Sequence, residues 1–560
     1  MGLLLKARSF VTGRRWAAWQ EITSRPSEIQ NRVLTDIIRH NRATLFGRDY
    51  RFETIGSLND YRKQVQISDY ERLRPYVERA ANGAVNALTR EPVIMFTLTS
   101  GTTGKPKLIP ITKSARNNHR LLTRLWYYRA WVDHPQCFGG KLLGIVSSAA
   151  EGRTPGGIAV GAASGLVYES SPRWVRNAFV TPHPISEIKD FDAKYYIIMR
   201  LALAHEISFL ATPNPSTILK LVESADRFKE DIIKDIRDGT ISCRWNLPAS
   251  IRDQLRSGLV KSDARARQLE RFATEQGKLR PREYWPCLQL IGCWKGGTVG
   301  MRLKEFGRWF AEDTPVRDLG YMASEAQMTL PVMDAGSAGI LAINANFCEF
   351  IPDAEIGSAH PTALTCTELD EGKSYYIVLT TPGGLYRYDI NDVVRVTGFY
   401  NRTPLIEFVR KGRDVTNITG EKVHVNQVIQ AMEQAQSAAR VTVQYYRAFA
   451  DPEKSRYGFL VEMDGAIAPK VALGSLLDEL DSSLRRLNIE YEQKRTSLRL
   501  GAPVLWVMKP GWFERKVSSM LQRVAGDVQF KVQLLSAVPE DVSEALLIVE
   551  KTDAAPEEAT

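Results

Sequence analysis

The stretch Met95–Thr112, MFTLTSGTTGKPKLIPIT, decides how the rest of the chain is read. The apolar run VIMFTL reads as a buried strand, and the segment after it reads as a turn. Thr99, Ser100, Thr102 and Thr103 offer hydroxyls. Gly101 and Gly104 let backbone amides come close to an anion, and Lys105 and Lys107 supply positive charge. The combination suits phosphate. A Walker A loop needs four residues between its first glycine and a Gly-Lys pair followed by Ser or Thr. Here two residues separate Gly101 from Gly104 and Pro106 follows Lys105, so the spacing rejects a P-loop ATPase. Taken alone, the stretch is also compatible with a surface hairpin.

Composition bounds what surrounds this loop. The chain has 560 residues, 44% hydrophobic and 25% charged, as expected of a globular protein with more than one domain. It has no apolar run long enough to span a bilayer. The start, MGLLLKARSF, is too short in its apolar part for a signal-peptide core and matches a myristoylation signal poorly, so it reads as an ordinary basic segment. Lys and Arg total 74 against 64 acidic residues, a net charge of +10. The basic residues are scattered through helical patterns and form no long run. That favours a solvated surface with an anion-binding cleft over a nucleic-acid partner. The six cysteines show no CxxC and no zinc-ligand spacing to His, and read as reduced thiols of a cytoplasmic protein.

Periodicity then divides the chain. Ser27 and Gln30 have capping-box spacing ahead of an amphipathic helix that buries Ile29, Val33, Leu34, Ile37 and Ile38. From about 140 to 350 strand-like runs (LLGIV, ISFLA, LQLIG, GILAINAN) alternate with helical ones (AKYYIIMRLALAH, PSTILKLVESADRF). This predicts an α/β sheet with helices on its faces. Residues 374–400 read as β-rich. After about Lys411 strands (RVTVQYYRAF, RYGFLVEM, APVLWVM) surround a long helix carrying Leu473, Leu476, Leu477, Leu480, Leu484 and Leu487. The reading is a large N-terminal domain over 1–411 and a small α+β domain over 412–551, joined within FVRKGRDVTN. A tail, 552–560, is expected to be disordered.

Three later stretches bear on the loop. LGYMASEAQM puts Tyr321, Ser324 and Glu325 at a strand-to-loop turn, where an aromatic can stack on a base, a hydroxyl reach phosphate and a carboxylate hold Mg²⁺. LYRYDINDVVRVTGFY puts Asp392 between β-rich runs, where a fixed carboxylate can accept both hydroxyls of a ribose. CWKGGTVG offers Gly296 and Gly297 as flat backbone for an adenine ring. Each has an ordinary structural reading when taken singly.

In this order, with a small C-terminal domain behind them, they resemble the adenylate-forming superfamily of acyl-CoA synthetases, luciferases and peptide-synthetase adenylation domains. A narrower resemblance spans nearly the whole chain. CWKGGTVG, AAEGRTPGGIAVGAASG, ATPNPSTILKL, YRYDINDVVRVTGFYNRTPLIEFVRKGRDVTNITGEKV, LNIEYEQKR and GDVQFKVQLL are similar to the Gretchen Hagen family of acyl-acid amido synthetases. That resemblance implies ATP and Mg²⁺, activation of a carboxylic acid as its acyl-adenylate, and capture by an amine, usually an amino acid's. It implies no nucleic-acid or membrane partner. The oligomeric state stays open, with a monomer favoured.

By motif, Thr99, Ser100, Gly101, Thr102, Thr103, Gly104 and Lys105 match the phosphate-binding loop. Gly296, Gly297 and Thr298 match the strand edge against adenine, and Tyr321 the residue beside it. Ser324 matches a phosphate contact, Glu325 the Mg²⁺ carboxylate and Asp392 the ribose ligand. Arg410 to Asp414 match the interdomain hinge, with Arg410 matched to a nucleotide contact. Lys531 matches the C-terminal lysine that reaches the α-phosphate, and residues 147–161 part of the acyl pocket. Two departures stand out. Asn391 replaces the usual Gly before the ribose aspartate, a position where Asn tolerates positive φ. Gln533 and Leu534 replace a Pro-Arg after the lysine, which leaves Lys509 and Lys516 as competitors of Lys531. Coenzyme A or a carrier-protein thiol as acceptor, and a binding protein that has lost catalysis, remain alternatives.

Overall fold

The computed structural model describes residues 2–99, 107–145, 152–161, 171–182, 185, 188, 190–256, 258–356, 358, 360–412, 414–463, 465, 467–513, 515–516 and 534–550. The chain forms two compact units, Met1–Thr99 with Leu108–Arg410 and Ser100–Lys107 with Lys411–Thr560.

The first unit is built on three sheets. Leu142, Leu143, Phe209, Leu210, Leu290 and Ile291 belong to a four-stranded sheet in which Lys141–Gly144, Ile207–Ala211, Leu290–Gly292 and Val316–Arg317 run parallel. Parallel neighbours need crossovers, and the helices Phe191–Leu203 and Pro215–Arg227 supply them, burying Ile197, Ile198, Ile218 and Leu221 in a common core. Three of the expected strand runs alternate with helices here; the fourth, GILAINAN, does not join them, because its strand Gly339–Leu341 pairs antiparallel in another sheet. A second sheet pairs Val93–Thr99 with Lys107–Thr112 on one side. On the other, Val93–Thr99 runs parallel to Ala159–Gly161 (Thr97 opposite Gly161), which pairs in turn with Gly152–Arg153. The third sheet has six strands, in the order Phe347–Pro352, Ser374–Thr380, Tyr388–Tyr400, Thr403–Lys411, Gly339–Leu341, Thr329–Leu330.

The expected capping box does not form. The first amphipathic helix runs Pro26–Asn41 with Arg25 at its N-cap and no side-chain cap. Gln30 is buried instead. Its amide donates to the carbonyls of Ile343 (2.5 Å) and Asn346 (2.7 Å), and its carbonyl accepts from the Cys348 amide (2.9 Å). Buried backbone groups without a partner cost more than an exposed cap returns, so the glutamine serves the loop. Ile29, Leu34, Ile37 and Ile38 face the core as their spacing predicts, with Val33 at its margin.

The second unit has a five-stranded sheet, Leu535–Ser536, Val443–Asp451, Arg456–Met463, Val504–Met508, Ala545–Glu550, under the helices Val425–Ala439 and Lys470–Leu487. Leu473, Leu476, Leu477, Leu480 and Leu484 are all buried in its core, as their helical spacing requires. No helix among the described residues is long and apolar enough to cross a membrane. All six cysteines are free thiols, four of them buried.

Candidate active site

Tyr321, Ser324 and Glu325 lie on one tight hairpin. Met322 and Gln327 bridge antiparallel, and the Ala323 amide donates to Ala326 (2.9 Å), leaving Ser324 and Glu325 as the two residues of the turn. The arms are short because each end is anchored. The Met328 amide donates to the Tyr321 carbonyl (2.9 Å), and the Tyr321 amide donates to Thr329 Oγ1 (2.8 Å). Thr97, on the strand that leads into the Gly-Lys stretch, donates its hydroxyl to the Ser324 carbonyl at 3.1 Å. The strand entering one candidate motif is therefore bonded to the tip of another.

Asp392 does not lie at a turn between strands but inside one. Along Tyr388–Tyr400 the pairing with Ser374–Thr380 breaks: Tyr376 faces Val393, yet Val378 faces Asp389. Residues 390–392 stand against Ile377 alone, a bulge of two extra residues. Asn391 sits in it at φ +57°, and its amide donates to Asp389 Oδ1 (2.7 Å). Asparagine accepts this left-handed backbone at low cost, so the replacement of glycine keeps the bulge. The bulge re-aims Asp392, whose Oδ2 accepts the Tyr321 hydroxyl at 2.6 Å. Both residues are buried. Burial, then the Asp392 and Glu325 charges, push the Tyr321 phenol far above its ordinary range, so it is a permanent donor.

The glycine pair closes the group. Gly297 has φ +62°, and a Cβ there would meet the Phe408 ring at 2.9 Å; one on Gly296 would meet the Phe408 carbonyl at 3.1 Å. Phe408 also packs on Tyr321, ring centroids 5.5 Å apart. Gly296, Gly297, Phe408, Tyr321 and Asp392 thus form one connected surface of flat backbone, aromatic ring and carboxylate, the chemistry a nucleoside needs. Thr298 begins the helix that follows. Glu325, at a partly exposed turn, is a hard carboxylate of the kind that could hold Mg²⁺ together with substrate phosphates. Among the described residues no cluster of His, Cys, Asp or Glu forms an all-protein metal site.

Not every expected residue joins this surface. Thr99 ends its strand. Ser100, Gly101, Thr102, Thr103, Gly104, Lys105 and Lys531 lie outside the described residues, as does the tail 552–560. Arg410, one residue before the end of its strand, is ion-paired with Asp353 (3.0 Å). Of the competing lysines, Lys509 is exposed. Lys516 is ion-paired with Glu540, which also pairs with Arg447 (2.7 Å), and its ammonium lies 5.6 Å from the Trp512 ring centre. These partners hold Lys516 within its own unit's packing.

Sequence reasoning missed Phe408, Trp294 and Asp318. Period-two spacing from Ile406 would have placed Phe408 on the buried face. Asp318 gave no signal: in RDLGY it is one more acid before a turn. Its carboxylate accepts the amides of Lys295 and Gly320, both at 2.6 Å, tying the glycine pair to the Tyr321 hairpin.

The fold is that of the adenylate-forming enzymes. A 2-hydroxyisobutyryl-CoA ligase, solved with its acyl-adenylate and CoA, aligns with a TM-score of 0.52 at 15% identity, over 89% of this chain and 92% of that one. The chain belongs to the GH3 family: it matches the family's N-terminal domain over residues 16–316, central domain over 339–411 and C-terminal domain over 426–540. Its relatives include an indole-3-acetic acid-amido synthetase, GH3.3 of Arabidopsis thaliana, 23% identical over 92% of this chain and 90% of that protein. A jasmonoyl-L-amino acid synthetase, JAR4 of Nicotiana attenuata, is 24% identical over 92% of each. The solved GH3.15 acyl acid amido synthetase in complex with 2,4-DB superposes with a TM-score of 0.64 at 21% identity, over 95% of this chain and 96% of that one.

Proposed function

We propose that the protein is an acyl-acid amido synthetase that uses ATP and Mg²⁺. It joins a carboxylic acid to an amine, usually an amino acid's, through an acyl-adenylate. The observation that carries this reading is the Tyr321–Asp392 contact at the bulge beside Gly297 and Phe408, in a chain that matches one amide-forming family along its length. The acid's carboxylate attacks the α-phosphate, pyrophosphate leaves, and the amine then displaces AMP. Two anions meet in the first step, so catalysis needs positive charge set in place beforehand.

In this reading Asp392 accepts the ribose hydroxyls and Tyr321, Gly296, Gly297 and Thr298 border the base. Thr99, Ser100, Gly101, Thr102, Thr103, Gly104 and Lys105 hold the pyrophosphate end, with Ser324 on phosphate. Glu325 would hold Mg²⁺, which draws charge from the leaving group. Arg410 lies where residues 412–551 begin, a domain whose closure carries Lys531 to the α-phosphate and keeps water from the anhydride. Residues 147–161 contribute to the acid's pocket, which determines the acid accepted. The six free thiols fit a reducing, cytoplasmic setting.

The test is exchange of labelled pyrophosphate into ATP across aryl, indole, fatty and polyketide-like acids, followed by AMP release with amino acids. Exchange with at least one acid and faster AMP release with an amine are expected. Faster release with coenzyme A or a carrier-protein thiol would move the protein among the thioester-forming ligases. No exchange with any acid would make it a binding protein of the same fold.

A further inference from the structure

Two turns leave neighbouring strands of the parallel sheet. The strand Leu290–Gly292 runs into Cys293–Gly297, and Val316–Arg317, paired with it through Gly292 and Arg317, runs into Asp318–Tyr321. The turns are cross-linked in both directions. Asp318 reaches over to accept the Lys295 amide on Oδ2 (2.6 Å), while its Oδ1 accepts the Gly320 amide (2.6 Å). In return the Trp294 indole donates to the Gly320 carbonyl (3.1 Å), and the Lys295 ammonium donates to the Val316 carbonyl (2.9 Å). Gly320 is held at both ends, at φ +98°, where a Cβ would meet the Thr329 carbonyl at 2.8 Å.

The chemistry explains why an aspartate stands there. Two main-chain donors converge on its two oxygens, which only an acceptor-only group of that length can satisfy. Asparagine would turn an amino group toward one of the donors. The charge is kept at 4% exposure, a placement that costs stability and that a purely structural turn could avoid.

We propose that Asp318 is a positioning residue for the nucleotide base: it sets the gap between the Gly296–Gly297 backbone and Tyr321. This rests on the nucleotide reading above. Burial pushes its carboxyl up to about 6, against the pull of the amides and of the Lys295 ammonium. The titratable groups facing it are Lys295 and Cys293 on the neighbouring turn. Arg317, beside it on its own strand, is occupied by Asp133 and Asp334, and Asp334 also takes His134. From the helix Lys113–Asp133 the Trp126 indole donates to the Asp318 carbonyl, and Asp133 faces Arg317. Protonation therefore removes an acceptor from the clamp at mildly acid pH.

The test compares the whole protein with Asp318→Asn and Trp294→Phe. The readouts are ATP binding by calorimetry, KM for ATP and for the acid in pyrophosphate exchange, and the ratio of ATP to GTP use. Asp318→Asn is expected to raise the KM for ATP about tenfold or more, as loss of a buried charged acceptor does, to lower the ATP-to-GTP ratio, and to leave the KM for the acid unchanged. Trp294→Phe does the same more weakly, and carries the test if Asp318→Asn does not fold. In the wild type the KM for ATP climbs as pH falls through about 6; in Asp318→Asn that added climb is gone, leaving only the titration of ATP itself. A general loss of fold would instead depress both substrates alike. Wild-type binding of ATP with unchanged KM, base ratio and pH profile in the folded variants overturns the proposal alone. Failure of the wild type to bind ATP overturns the nucleotide reading and the proposal with it.

Discussion

Two buried aspartates, one from each unit, are held in opposite ways. Asp481, in the second unit, meets Arg495 through two contacts of 3.0 Å, with Arg485 at 3.3 Å and the Tyr491 hydroxyl at 2.8 Å. Burial raises its carboxyl, but these partners outweigh burial and leave it below the ordinary range. Asp318, in the first unit, is gripped by main-chain amides, and burial wins. Linkage separates them further. Asp481 binds protons more weakly folded than unfolded, so its contribution is present above the ordinary aspartate range and lost as pH falls through its depressed value. Asp318 binds them more strongly, so as pH falls through about 6 toward the ordinary range its contribution grows. A carboxylate matched with cations holds a fold. One matched with amides holds two backbone segments at a set distance and remains able to titrate.

The largest effect should come from breaking the paired side of this comparison. Arg495→Met leaves Asp481 buried without its main cation and is expected to cost the second unit about 3–5 kcal/mol. Calorimetric unfolding would show this, and Asp481→Leu combined with Arg495→Met would restore most of it. A neutral single variant would mean that Asp481 is not held by charge at all.

The same contrast separates two lysines. Lys516 is matched with Glu540 inside its unit, so Lys516→Ala should lower stability more than chemistry. Lys531→Ala should lower acid-dependent pyrophosphate exchange by about 10²–10³, the usual loss for one charge on a developing anion. The reverse order of exchange rates would show that Lys516 leaves Glu540 to do the chemistry. The substitution Asp392→Ala comes next. If Asp392 accepts the ribose hydroxyls as proposed, its removal should raise the KM for ATP about tenfold to a hundredfold. Unchanged dependence on ATP would strip Asp392 of that role and leave it a structural partner of Tyr321.

How far these residues could be read from sequence follows from the range of the forces that place them. The strands Val93–Thr99 and Ile207–Ala211 and the leucines of Lys470–Leu487 are set by local periodicity, and the sequence reading located them. Tyr321, Glu325 and Asp392 were legible as members of an ordered set of motifs. The bond between Tyr321 and Asp392 was not, because it depends on a slip in register between two strands. Gln30 misled for a similar reason: its spacing fits a local cap, but its partners lie more than 300 residues away, at Ile343 and Asn346. Asp318 was invisible because its partners are main-chain amides, which every residue but proline has.

The smallest effect tests the backbone beneath the site. Asn391 adopts φ +57° in the bulge that carries Asp392. Asn391→Gly keeps that conformation available and gives up only the asparagine side chain and some unfolded-state entropy, so stability should move by less than about 1 kcal/mol with the KM for ATP unchanged. Asn391→Val demands a left-handed backbone from a β-branched residue, at about 1–2 kcal/mol. If the strand relieves that strain by expelling one residue of the bulge, the register beside it slips by one and the Asp392 side chain changes face. Val would then raise the KM for ATP far more than it lowers the unfolding temperature. If Val lowers stability alone and nucleotide use follows the folded fraction, the bulge is a local accommodation and Asp392 is aimed by Tyr321 rather than by the strand.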